Sequence, residues 1–98
     1  MTTLHSEARV TTIRAARYLG QLCKHFAHRV PATHAETQGR VEFPWGICTL
    51  EASGDLLILR AEANDTPSLD QVEDAVGQHL ERFAFRDKPE IRWSRSAA

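Results

Sequence analysis

Two stretches of helical periodicity enclose a central run of alternating apolar residues, and this arrangement constrains the fold more than any other feature of the chain. In the first stretch, Leu19, Leu22 and Phe26 recur at three- and four-residue spacing, which is typical of an amphipathic helix. Val72 and Val76 belong to a second stripe of the same kind. The alternation between the two stripes predicts strands with one buried face. We therefore expect an α+β fold.

The predicted element order is β-α-β-β-β-β-α-β. The expected bounds are a strand at 8–12, a helix at 13–28, strands at 34–37, 41–43, 47–52 and 57–63, a helix that starts near 65–68 and carries apolar residues as far as 83, and a strand at 91–93. Gln38-Gly39 and Ser53-Gly54-Asp55 are typical turn sequences, and the first strand is expected at a sheet edge.

Both helices are expected to pack on one face of a mostly antiparallel sheet, because each has a single apolar stripe to bury. This gives a two-layer sandwich with one solvated sheet face. An elaborated ferredoxin-like arrangement is the first choice for its topology, and a TBP-like curved sheet under two helices is the second.

Length and composition favour one domain. The 98 residues are 42% hydrophobic and 26% charged, as in an ordinary globular protein. We expect a single domain over 1–98, with an ordered core at about 8–93 and a loose tail at 94–98. Twelve Lys and Arg against thirteen Asp and Glu leave a net charge of −1, which argues against nucleic acid or a membrane surface as a partner.

The distribution of apolar residues and cysteines predicts a cytoplasmic protein. Residues 1–10 contain no apolar run of the kind that signal peptides have, and no stretch approaches the roughly 20 apolar residues of a membrane span. Cys23 and Cys48 are then expected as reduced thiols, each buried as a small apolar side chain.

The polar face of the first helix is basic and contains no carboxylate. Its members are Arg14, Arg17, Gln21, Lys24, His25 and His28, with Tyr18 at the border. Such a face is suited to a phosphate, a carboxylated ligand or the acidic surface of a partner. Trp45, beside Pro44 and Gly46, would add an aromatic platform if exposed. The alternatives are an ordinary solvated helix surface and a Trp45 that folds back over the sheet edge.

Histidines provide a candidate metal site. His25 and His28 are three residues apart, close enough on a helix for both to ligate one ion, while Cys23 points toward the apolar stripe. A third ligand has to come from elsewhere, such as His79, His34 or a carboxylate. We take His25, His28 and His79 as the candidate ligands of a divalent metal and predict no other cofactor. The alternative for His79 is a half-buried structural histidine with a hydrogen bond.

The sequence lacks the common catalytic motifs. It contains no GxSxG elbow, no glycine-rich phosphate loop and no HExxH pair. Closely spaced carboxylates such as Asp70 and Asp74 fall on one helix, where they are typical of surface charge. We therefore assign no catalytic residue and favour a binding protein over an enzyme.

Three motifs resemble a known bacterial family. They are Arg17-Tyr18-Leu19 followed by Leu22-Cys23-Lys24-His25-Phe26-Ala27-His28, then Gly39-Arg40-Val41-Glu42-Phe43-Pro44-Trp45-Gly46, and finally His79-Leu80-Glu81-Arg82-Phe83-Ala84-Phe85-Arg86. In this order they closely resemble the family catalogued as domain of unknown function 2218, over about residues 8–93. That family has no established activity, and related domains occur joined to siderophore-interacting flavin reductases. The resemblance implies an iron-related accessory role with a flavin reductase as partner, while this chain has no flavin- or nicotinamide-binding motif of its own.

Two functions remain open at this point. The first is a small binding or accessory module, considered as a homodimer, that uses the basic face of the first helix. The second is a metal- or iron-handling protein in which His25 and His28 act as ligands.

Overall fold

The computed structural model describes residues 3–97, and its elements follow the predicted order. The strands are β1 (Leu4–Thr11), β2 (Ala32–His34), β3 (Gln38–Phe43), β4 (Gly46–Ser53), β5 (Leu56–Ala63) and β6 (Trp93–Ala97). The helices are α1 (Ala15–Phe26) and α2 (Thr66–Phe83). Both pack on one face of a sheet with the order β2-β3-β4-β5-β1-β6. The α+β class and the two-layer sandwich are confirmed.

The first strand lies inside the sheet rather than at its edge. β1 pairs with β5 from Leu4 opposite Ala63 to Thr11 opposite Leu56, and its other side pairs with β6. The edge placement expected for this strand is therefore wrong. Every neighbouring pair within residues 3–97 is antiparallel. β2, β3, β4 and β5 form a meander, and β1 and β6 continue the sheet beyond β5.

The segment expected to be a loose tail is mostly a strand. Residues 94–97 belong to β6, which pairs with β1 through contacts such as Ser6 opposite Arg95. Arg95 also reaches α2, where its Nε and Nη2 donate to the Glu73 carboxylate at 3.0 and 2.8 Å. The prediction of a loose tail is therefore wrong for residues 94–97, and Ala98 lies outside the described residues.

Short side-chain hydrogen bonds set the starts of the helices. α1 begins at Ala15, two residues later than expected, because the Thr12 hydroxyl accepts the backbone N–H of Arg14 at 3.1 Å and forms a local turn there. α2 begins at Thr66, where the Asp65 carboxylate accepts the N–H of Ser68 at 2.8 Å. The first helix also ends earlier than expected, at Phe26.

The hairpin between β2 and β3 differs from the prediction. The turn is at residues 35–37, closed by the Ala35 N–H and the Gln38 carbonyl at 2.7 Å, and Gln38 and Gly39 belong to β3. Gly39 lies so close to α1 that a Cβ there would be 2.6 Å from Sγ of Cys23. The glycine thus serves helix packing rather than a turn. The turn expected at Ser53-Gly54-Asp55 is confirmed, with Gly54 at a φ of 58°.

Alternate residues of the sheet point toward the helices and form the core. Leu50, Leu57 and Leu59 are buried there against Leu19 and Leu22 of α1. This packing matches the stripes seen in the sequence and accounts for most of the apolar surface that folding removes from water.

Both cysteines are buried free thiols, as expected. Burial raises the pKa of Cys23, and it raises that of Cys48 to about 12. Neither thiol is therefore available as a nucleophile in the folded state.

The opposite face of the sheet is charged, which confirms the expected solvated face. On it, the Arg60 guanidinium donates to Glu7 at 3.1 Å and to Glu51 at 3.0 Å, across three neighbouring strands. No helix within residues 3–97 is long and apolar enough to cross a membrane.

Candidate anion-binding cleft

A cleft of about 360 Å³ separates α1 from the loop that follows α2. Its α1 side consists of Arg14, Arg17, Tyr18 and Gln21. Its other side consists of Phe83, Phe85, Arg86 and Asp87. Four of the candidates from the sequence are thus brought together, because they share one face of the helix and the loop returns across it.

Asp87 lines this cleft and is bound by Arg14 and by Tyr18 of α1. Nη1 of Arg14 donates to both oxygens of its carboxylate, at 3.0 and 3.1 Å, and the hydroxyl of Tyr18 donates to Oδ2. The hydrogen bond from Tyr18, supported by the charge of Arg14, lowers the pKa of Asp87. The same hydrogen bond raises the pKa of Tyr18, whose ring is buried. Arg14 and Tyr18 therefore form a binding site for a carboxylate, which is occupied by that of Asp87.

The remaining charges of the cleft are positive. Within residues 3–97, neither Arg17 nor Arg86 forms an ion pair. The guanidinium of Arg86 lies over the ring of Phe85 at 5.6 Å from its centroid. Two guanidinium groups are thus left to receive an anion from outside. Lys24 and His28, both exposed, extend the basic stripe beyond the cleft.

His25 faces the second helix and meets His79. Their ring centroids are 4.5 Å apart, and the rings of Phe26 and Phe83 contact His25 edge-on. Nδ1 of His79 lies 2.6 Å from the carbonyl of Ala75, and because a carbonyl oxygen only accepts, we assign a proton to Nδ1, which donates to it. The half-buried, hydrogen-bonded role considered for His79 is therefore the one observed.

The surroundings of His25 disfavour its charged form. Partial burial lowers the pKa of His25, and the positive charge of the neighbouring His79, His28, Arg29 and Arg82 lowers it further. These surroundings therefore favour the neutral form of the imidazole.

The three candidate metal ligands are not brought together as a set. His25 and His79 are in contact, whereas His28 makes no ring contact with either within the described chain. No group of three or more His, Cys, Asp or Glu side chains among residues 3–97 is placed to hold a metal ion. The structure thus supplies a histidine pair rather than a three-ligand cluster.

Trp45 lies in the turn between β3 and β4, away from the arginine cleft. Its ring stacks on Phe43, with centroids 5.1 Å apart and planes at 13°, and Phe43 in turn meets Phe26 at 5.0 Å. Trp45 nevertheless remains 38% exposed. It therefore both folds back on the sheet and presents part of its ring to solvent, near Thr3 and Glu62 instead of the basic stripe.

The half of the cleft that follows α2 was not predicted from the sequence. Phe85 is 65% exposed because α2 ends at Phe83. Ile13, expected inside the first helix, likewise precedes it and is exposed. Pro89 marks a loop after α2, but no local pattern indicates that Asp87 returns to α1.

Fold and cleft together define a small two-layer α+β protein with an arginine-lined cleft between its first helix and the loop after its second. Residues 7–94 match the model of a family described as "Uncharacterized protein conserved in bacteria (DUF2218)", and the chain belongs to this family. The resemblance seen in the sequence is thereby confirmed. The chain is also similar to the protein in the "NMR structure of PA4090 from Pseudomonas aeruginosa", with 32% identity and a TM-score of 0.80, over 93% of this chain and 95% of that one. A comparison with curated proteins finds no match.

Proposed function

We propose that this protein is a non-catalytic binding module whose cleft holds the anionic group of a ligand or partner. The observation that carries the proposal is the pair Arg17 and Arg86, two guanidiniums without ion-pair partners within residues 3–97, in a cleft where Arg14 and Tyr18 already bind the Asp87 carboxylate. Guanidinium groups bind carboxylates and phosphates through paired N–H donors. The ligand chemistry is therefore a carboxylate or a phosphate.

Local charge rather than net charge supports this function. The chain as a whole carries −1, so no long-range field concentrates anions around it. α1 has no acidic residue, and Lys24, His25 and His28 continue its basic stripe. An anion is thus attracted to one side of the molecule. Trp45 lies outside this surface and has no part in the proposal.

The test is a titration of ¹⁵N-labelled protein with citrate and, separately, with inorganic phosphate. We expect shift changes at Arg17, Gln21 and Arg86 in the wild type, and binding about tenfold weaker in the double variant Arg17→Ala, Arg86→Ala. The matched control is Arg92→Ala, because the side chain of Arg92 is 85% exposed and lies outside the cleft. Equal binding by the double variant, or shifts spread evenly over the surface, would refute the proposal.

A second candidate function is metal or iron handling, favoured by the contact between the rings of His25 and His79. Nε2 of His79 is available as a ligand, since its Nδ1 bonds to Ala75. Further ligands would come from water or from a partner, such as the flavin reductase that the family resemblance implies. Thermal shift with added Zn²⁺ or Fe²⁺, on protein without a histidine tag, tests this candidate. The variant pair His25→Ala, His79→Ala should abolish a shift that His34→Ala retains, and the absence of any shift in the wild type argues against metal binding.

A further inference from the structure

The exposed surface of the helices and their flanking loops is divided between opposite charges. Arg17, Lys24 and Arg86 lie at one end, on α1 and the loop after α2. Asp70 and Asp74 lie at the other end, on the first half of α2, just after the capping Asp65, which is also exposed. The surface therefore carries both signs of charge, although Glu81 and Asp87 are also exposed at the first end and Asp70 is paired with Arg95 at the second. A second copy related by a two-fold rotation can place each end against its opposite.

An exposed aromatic side chain marks the basic end. Phe85 is 65% exposed and lies directly beside Arg86, whose guanidinium covers one side of the ring at 5.6 Å. Aromatic residues, Phe among them, and arginine are enriched in protein–protein interfaces. Phe85 is therefore an apolar knob within a basic surface.

A slot of matching size lies at the acidic end. It has a volume of about 240 Å³ and lies between the start of α2 and the ends of β1 and β6, with Leu4 and Leu69 as its apolar wall and Thr66 at its mouth. A dry cavity of about 150 Å³ is enough to hold a benzene ring, so a phenyl group fits this slot. Arg95 also lines it, but the guanidinium of Arg95 is bound to Asp70 and Glu73.

We propose that a second copy of this chain occupies this surface, with Phe85 of each copy inserted into the slot of the other. Arg86 then faces the partner's Asp74, which forms no ion pair within residues 3–97 of its own chain. The inference rests on the proposed function, because it names the acidic end of α2 in another copy as an anionic partner of the cleft. A two-fold axis forms each contact twice, which closes the assembly as a dimer.

Sedimentation equilibrium over a wide range of protein concentration tests the arrangement. We expect the wild type to dimerise, and Phe85→Ala and the slot-filling Thr66→Trp each to weaken the dimer about tenfold or more. The matched control is Leu56→Ala, because Leu56 lies on the opposite face of the sheet. Unchanged melting temperatures establish that the variants are folded. A dimer that neither Phe85→Ala nor Thr66→Trp weakens would overturn the proposed contact.

Charge reversal is a second and more specific test of the contact between Arg86 and the partner's Asp74. Arg86→Asp and Asp74→Arg should each dissociate the dimer, and the two changes combined in one chain should restore it, because the reversed charges again face each other. A wild type that stays monomeric at every concentration overturns the dimer. Titration with citrate then shows separately whether the cleft binds anions, so the two proposals fail independently.

Discussion

Nη1 of Arg14 donates to both carboxylate oxygens of Asp87, at 3.0 and 3.1 Å, although the two residues are 73 positions apart in the chain. Asp87 also accepts the hydroxyl proton of Tyr18. These contacts hold the loop after α2 against the start of α1 and so fix the position of Asp87 in the cleft. The shape of the cleft therefore depends on a carboxylate that belongs to neither helix.

The first prediction concerns the titration of Asp87. Its pKa lies below the ordinary 3.8, chiefly because of the hydrogen bond from Tyr18. The stability that this contact contributes is thus present above pH 3.8 and is lost as the pH falls through the lowered pKa. Tyr18→Phe should raise the pKa of Asp87 toward 3.8, so the variant should lose less stability on acidification, over a pH range that ends at a higher pH. Carboxyl ¹³C NMR measures the change, and identical titrations in the variant and the wild type would contradict it.

A second pH dependence is expected from His25. Partial burial and neighbouring positive groups place its pKa below 6.5. Because the unfolded chain takes up this proton first, the free energy of unfolding should decrease as the pH falls from 6.5 through the lowered pKa. His79→Gln removes one positive neighbour and should raise the pKa of His25 part of the way. Proton–carbon NMR of the imidazole Cε1–H measures the pKa of His25 in the wild type and in the variant. A wild-type pKa at or above 6.5 would exclude this explanation.

Two glycines are expected to respond oppositely to alanine. A Cβ at Gly46 would lie 2.3 Å from the backbone carbonyl of Glu62, so Gly46→Ala has to separate β4 from β5 and should cost about 1–3 kcal/mol. At Gly20, inside α1, a Cβ meets no atom within 4 Å, and Gly20→Ala should stabilise the protein by about 0.5–1 kcal/mol. Urea unfolding measures both. Destabilisation by the Gly20 change would show that the surface beside it is not open.

The fourth prediction tests the attachment of β6. Arg95→Ala leaves the buried Glu73 carboxylate without its two donors, which should cost about 1 kcal/mol, near the lower limit for such a loss because Arg95 is itself 40% exposed. Hydrogen exchange should accelerate in β6 before the rest of the sheet. Arg92→Ala is the control, since within residues 3–97 Arg92 pairs only with the exposed Glu90. Equal exchange rates in the two variants would mean that backbone pairing alone holds the strand.

The element order and the buried stripes were predictable because hydrophobic periodicity is a local property of the sequence. Leu19 and Leu22, for example, are buried where the helical spacing places them. The position of β1 was not predictable, because strand order depends on pairing between distant segments. The strand at 94–97 was missed for a similar reason, as its alternation is too short to detect and its main side-chain partner, Glu73, lies in another element.

The α1 side of the cleft could be derived from the sequence, and the opposite side could not. Arg14, Arg17 and Tyr18 share one helical face, and that much follows from 100° per residue. Asp87 belongs to a loop whose path is set by the contacts it makes, so its role follows only from coordinates. The prediction of three histidine ligands agrees with the structure only in part. His25 meets His79 across the two helices, while His28 lies outside their contact.

Because β1 lies between β5 and β6, a chain leaving the ribosome exposes its first strand before either neighbour exists. Within residues 3–97, β1 pairs only with residues 56–63 and 93–97, so one of its edges stays open until β5 has been translated and the other until β6 has. Unpaired edges in such nascent chains attract other strands. The first strand made is therefore the last to gain both of its neighbours, and β1 completes its pairing only when the final strand has been synthesised.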